Sequence, residues 1–162
     1  MATICLYCAH NETIFCAEMS MGPEFSGIER RLDELSERLA RLQPLKDKTL
    51  SEFDADPYLR DIVERNLEVA AQCCIDISHR IIAIENAVKP RDYYEAFLRL
   101  GELGVLPPEF ARHVAPLAGF RNILVHEYLA VDWGQVYEHL QSLDDLESFA
   151  AHIRSWLQNK QS

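Results

Sequence analysis

No apolar run in the 162 residues approaches the about eighteen needed to cross a bilayer, and the N-terminus lacks the positively charged stretch of a secretory signal. A soluble, cytoplasmic protein is expected. The chain also lacks an excess of base: 16 Lys and Arg face 26 Asp and Glu, a formal charge of −10. That balance opposes nonspecific association with phosphate backbones, so any nucleic-acid role must rest on a local basic site. No segment alternates like a strand, and there are no internal repeats or low-complexity tracts. With 48% hydrophobic residues, one domain can form a core without disulfides or metal. The cysteines number five, an odd count, and Cys73 and Cys74 sit in an apolar helical pattern. Buried thiols in a reducing compartment are expected, with no structural disulfide.

What is present divides at about Ser26. Residues 1–27 hold Cys5, Cys8 and Cys16, the internal Met19 and Met21, and the breakers Gly22, Pro23 and Gly27. They are expected to be an N-terminal extension, disordered or foreign to the native protein, whose true start would then be Met19 or Met21. The helical domain is placed at 28–160. Cys5-x2-Cys8 with His10 and Cys16 offers four ligands for zinc, but no second paired motif follows, and no metal or other cofactor is expected.

From Ser26 the pattern is helical. Ser26 and Glu29 form a capping-box signature ahead of Ile28, Leu32, Leu35, Leu39 and Leu42. Asp56-Pro57 predicts the start of a long second helix running to about Val88, before Pro90. Its apolar residues between Leu67 and Val88 cover most of the circumference, so both sides need covering, and a dimer partner is the natural cover. Asp92 and Glu95 open a short helix that Gly101 and Gly104 close. A helix over about 109–128 is kinked or split by Pro116, and Asp132 caps a last helix through Leu157. The fold class is all-α, a bundle of about five helices.

One segment concentrates chemistry: Gly119-Phe120-Arg121-Asn122-Ile123-Leu124-Val125-His126-Glu127-Tyr128. RNA carries its own nucleophile, the ribose 2′-hydroxyl. A ribonuclease working without metal needs a group that moves protons near neutral pH and a cation for the developing charge on phosphorus, which His126 and Arg121 provide. Five positions on an ideal helix leave these two about 140° apart around the axis. Asn122 and His126, four apart, are neighbours, so Asn122 is placed to support the imidazole. Arg121 and His126 converge only if the helix ends near His126 or if a two-fold axis brings two copies into one cleft; the dimer cleft is favoured.

The R-x4-H-x-Y arrangement of Arg121, His126 and Tyr128 resembles the motif of HepT toxins in the HEPN superfamily. The resemblance spans roughly residues 28–158 and includes the long second helix, Pro90-Arg91-Asp92-Tyr93-Tyr94-Glu95-Ala96-Phe97, and Val131-Asp132-Trp133. It implies a HEPN-like bundle in a two-fold dimer and a metal-independent endoribonuclease toxin leaving a cyclic phosphate, with Arg121 and His126 catalytic. It also implies an antitoxin partner, a nucleotidyltransferase of the MntA kind, that silences the toxin by AMPylation of Tyr128. Residues before Ser26 match nothing expected of the family.

The rival reading is a catalytically weak HEPN scaffold that binds a nucleotidyltransferase and accepts nucleotides on Tyr128. Asp76 and His79, three apart on the second helix, suit a metal pair or an acid–base pair, though a polar stripe is the plainer reading. The run Glu29-Arg30-Arg31-Leu32-Asp33-Glu34 reads as a solvated helix face, and Arg91, Arg99 and Arg112 are the basic residues expected to extend an RNA surface.

Overall fold

The computed structural model describes residues 25–126 and 131–161. Among these residues there are eight α-helices and no strand: α1 Ser26–Leu42, α2 Leu50–Ala55, α3 Pro57–Ile84, α4 Tyr93–Glu102, α5 Pro108–Val114, α6 Leu117–His126, α7 Trp133–Gln141 and α8 Leu143–Gln161, with a 3₁₀ turn at Gln43–Leu45. No helix is long and apolar enough to cross a membrane among the described residues.

The expected caps form where the side chain can reach its own helix. Asp56 accepts from the Tyr58 amide at 3.0 Å, Asp92 from Glu95 at 2.7 Å and Asp132 from Gly134 at 2.8 Å. Helix α1 begins with Phe25 in the N-cap position, so Ser26 lies inside the helix instead of capping it. Helix α3 stops at Ile84, short of Val88. Asn86 there turns left-handed at φ 51°, the amide of Ala87 bonds back to Ile82 O, and that of Asn86 to Ala83 O. This is a Schellman closure with Asn where glycine is commonest. Gly104, at φ 70°, closes α4 in the same way, whereas Gly101 is a buried residue of that helix.

Three differences raise the helix count above five. Helix α2 is additional, opened by a Thr49–Glu52 capping box. Pro116 splits the segment over 109–128 into α5 and α6, its ring and missing N–H ending the continuous ladder. The last helix breaks at Ser142, whose φ and ψ of −100° and 29° separate α7 from α8.

Helix α3, about 42 Å long at 1.5 Å per residue, is the axis of the domain. It packs against α1, α4, α6, α7, α2 and α8. Ala70, Cys73, Cys74, Ile75, Ile77, Ile81 and Ile82, apolar residues expected to need a partner, are buried within this one chain, while Gln72, Asp76, His79 and Arg80 on the remaining side line an open cavity. The large exposed apolar side chains of α3 are at its start, Tyr58 and Ile62. Cys73 and Cys74 are free and buried, and burial pushes the Cys73 thiol up to about 11 and that of Cys74 well above its ordinary value. Across the core, Phe97 of α4 meets Phe149 of α8 edge-on, with ring centroids 6.0 Å apart. Phe97→Ala leaves a cavity at a fully buried site and is expected to cost about 3–5 kcal/mol. The check is a lower urea midpoint at unchanged m-value.

Candidate active site

Helix α6 is held by a few apolar residues. Pro116 begins its first turn, with its carbonyl accepting from the amides of Gly119 and Phe120. Ala118, Phe120 and Leu124 turn inward, and the Phe120 ring stacks on the His139 imidazole of α7 with centroids 3.7 Å apart. The chain re-enters on the far side at Val131 through Trp133, which stacks on Phe53 at 5.5 Å and donates from Nε1 to Glu64 at 3.0 Å. The Arg60 guanidinium covers the same indole at 4.8 Å.

This packing sets the exposure of the motif. Arg121 is half-buried at the edge of the inward face, while Asn122 and His126 are exposed, one helical turn apart. Asn122 Oδ1 accepts a long hydrogen bond from Arg121 Nη1 at 3.4 Å. Among the described residues no hydrogen bond links Asn122 to His126. The helix therefore brings Asn122 beside both catalytic candidates and leaves Arg121 and His126 on different sides of one cylinder. Tyr128 lies outside the described residues.

Arg121 has a neighbour that spacing could not reveal. Its guanidinium lies over the Tyr93 ring at 6.0 Å from the centroid, and the buried Arg121 Nε has no hydrogen-bond partner among the described residues. Tyr93 in turn meets His79 of α3 edge-on at 5.7 Å. Asp76 takes Arg31 Nε at 3.0 Å and Gln72 Nε2 at 2.6 Å, which occupies it as a charge partner. Among the described residues no group of three or more His, Cys, Asp or Glu is placed to hold a metal ion. Arg91 and Arg99 both bind Glu95, Arg99 also reaches Glu102, and Arg112 pairs with Glu109. Each of these three arginines thus has a glutamate partner, and Arg91 and Arg112 keep exposed side chains.

An all-helical domain with an arginine and a histidine five residues apart on one exposed helix defines a class that the comparisons make specific. The Ribonuclease HepT-like family matches residues 28–153. The chain belongs to that family. It is 33% identical over 131 residues to the tRNA nuclease HepT of Aphanizomenon flos-aquae, covering 80% of this chain and 89% of that protein. It is 28% identical over 106 residues to the mRNA nuclease HepT of Shewanella oneidensis, covering 65% and 80%. Among solved structures it resembles the tri-AMPylated HEPN toxin of Shewanella oneidensis in complex with its MNT antitoxin, with a TM-score of 0.72 at 25% identity over 80% of this chain and 98% of that one. YutE of Bacillus subtilis, a cytosolic protein of unknown function, shares the fold at TM-score 0.70 and 24% identity, covering 83% and 91%.

The stack under Phe120 has a pH signature. Burial holds the His139 imidazole below its ordinary 6.5, against the opposing pull of Glu138 and Asp145. The folded chain therefore favours the neutral ring, and the unfolded chain takes up the proton first. The stability this contributes is complete above 6.5 and is lost as pH falls below it through the depressed folded value. His139→Phe keeps an aromatic against Phe120 and removes the titration. Urea midpoints measured on both sides of pH 6.5 should fall less steeply in that variant than in the wild type, and equal slopes would contradict the assignment.

Proposed function

We infer that this protein is an endoribonuclease toxin of a toxin–antitoxin pair, with Arg121 and His126 as its catalytic residues. The observation that carries the reading is the exposed His126 and the half-buried Arg121, without a carboxylate partner among the described residues, on α6 of a HepT-like domain. Arg121 has no ion pair among the described residues, so its donors are available to phosphate oxygens, which a guanidinium can bind bidentately. His126 takes the proton of the 2′-hydroxyl as that oxygen attacks phosphorus. Arg121 stabilises the added charge, the bond to the 5′ oxygen breaks, and a protonated imidazole returns a proton to the leaving 5′ oxygen. The products are a 2′,3′-cyclic phosphate and a 5′-hydroxyl, and no metal ion takes part. Asn122, bonded to Arg121 and one helical turn from His126, is the residue placed to support the imidazole once the cleft is assembled.

Because the two groups stand about 140° apart on one helix, the reading places catalysis in a cleft between two copies of the chain, each contributing an arginine and a histidine. Silencing is assigned to Tyr128. Adenylyl transfer from ATP by a nucleotidyltransferase antitoxin adds negative charge and bulk two residues from His126, which repels and blocks RNA. The tri-AMPylated toxin with its MNT antitoxin supports this partner class. A cytoplasmic site of action fits both the substrate and that partner.

His126→Ala and Arg121→Ala are each expected to lower RNA cleavage by about two to four powers of ten and to abolish growth inhibition, with the helical signal of the domain unchanged. Arg121→Lys should fail nearly as badly because an ammonium lacks the planar fork. Full toxicity in these variants would overturn the catalytic assignment in favour of a nucleotide-accepting scaffold. Tyr128→Phe should cut RNA normally yet stay toxic when the antitoxin is co-expressed. Mass spectrometry of the co-expressed wild type should find adenylyl groups on Tyr128.

A further inference from the structure

A cavity of about 880 Å³ opens between α1, α3 and the segment leading into α4. Its volume is in the range of ligand sites. Four cationic side chains line it, Arg30, Arg31, Arg80 and Lys89, against the single carboxylate of Asp76. In a chain of formal charge −10 this is a local reversal of sign. A concave wall of one charge concentrates field and draws in oppositely charged ligands.

Pairing within the cavity deepens that reversal. Arg31 spans from α1 to Asp76 on α3, so the one carboxylate is already neutralised. Among the described residues Arg30 and Lys89 have no carboxylate partner. Gly27 stands at the rim where a Cβ would meet the Arg80 guanidinium at 3.2 Å, so the missing side chain lets that cation lie against the first turn of α1. Two lining residues each have a buried polar atom without a hydrogen bond among the described residues, Nε2 of His79 and Oε1 of Gln72. Unsatisfied buried polar atoms are rare in folded proteins, and in a cavity wall they are the groups a ligand would satisfy.

The cavity also adjoins the motif. Tyr93, one of its walls, is 37% exposed, meets His79 edge-on and also lies beneath the Arg121 guanidinium. One aromatic ring thus touches both the cationic cavity and the proposed phosphate clamp. We propose that this cavity binds the ribose-phosphate backbone of the RNA strand flanking the cleaved bond, with Arg30 and Lys89 as phosphate contacts, Tyr93 as the stacking surface and His79 with Gln72 as donor and acceptor toward ribose or base. Base stacking on an aromatic beside a cationic groove is the common physical basis of single-strand recognition. The inference rests on the nuclease reading of Arg121 and His126, and it assigns substrate binding to residues of α1, α3 and the α3–α4 segment that lie outside the motif.

The test uses the full-length protein and a short 2′-O-methyl oligouridylate, whose blocked 2′ oxygen cannot attack. Binding is measured by fluorescence anisotropy across a salt series. Lys89→Glu and Arg30→Glu should each weaken binding by about tenfold and flatten the dependence of log Kd on log salt by roughly 0.7 for each phosphate that is no longer neutralised. The milder Lys89→Gln, at an exposed position, guards against misfolding and should raise KM for RNA cleavage while leaving kcat unchanged. Wild-type affinity and salt dependence in all three variants would overturn the proposal, and if His126→Ala still abolished cleavage the nuclease reading would stand. Variants that bind the oligonucleotide normally but no longer form the antitoxin complex would overturn it too, giving the cavity to a protein partner. A wild type that neither binds nor cuts RNA would remove both readings together.

Discussion

Helix α3 has buried side chains on a little more than half of its circumference between Val63 and Ile82, wider than one amphipathic stripe, and a helix of that composition must be covered by several neighbours at once. Helices α1, α4, α6 and α8 all share in that cover. Each large aliphatic side chain removed from water contributes about 1.5–3 kcal/mol, so the order of the surrounding helices follows from where they meet this one. The polar atoms taken inside with it are answered locally. Ser78 donates to Cys74 O at 2.8 Å and Asn66 to Ile62 O at 2.6 Å, while the Asn66 Oδ1 accepts from Arg38 Nη1 of α1 at 3.4 Å. With α3 fixed, α6 has one face that fits inward, through Phe120 and Leu124. Arg121 is left at the boundary and His126 in solvent as a consequence.

Charge is distributed with the same economy. Several arginines of the surface helices are matched by a glutamate one turn away, as in Arg38 with Glu34, Arg41 with Glu37 and Arg65 with Glu68. Each such pair contributes little to stability. Their larger effect is on the field: those cations are locally neutralised, whereas Arg121, Arg30 and Lys89 have no carboxylate partner among the described residues. An acidic protein can in this way present one cationic region, and the overall charge suppresses nonspecific contact with nucleic acid everywhere else.

The features legible in the sequence are those set by short-range geometry. Asp56, Asp92 and Asp132 cap the helices assigned to them because an N-cap bond spans only two or three residues. The stripe from Ile28 to Leu42 is buried at every predicted position because the helical period is intrinsic to the backbone. Helix α2 was equally legible, since Thr49 and Glu52 carry the capping signature, but its six residues are too few to show a period. The break at Ser142 had no signal of proline or glycine. Leu140, Leu143 and Leu146 suit one straight helix or two angled ones, and only packing on α1 and α3 selects the second.

By itself, then, the amino-acid order determined the all-helical class, the segment bearing Arg121, Asn122, His126 and Tyr128, and the family those residues announce, because each depends on neighbours within a turn or two. Tertiary structure decided which cations pair and which stay open, that Tyr93 lies beneath Arg121, and that Arg30 and Lys89 face one cavity. Those relations join residues far apart along the chain. No local spacing encodes them, and they arise only when burial of α3 brings α1, α4 and α6 around it.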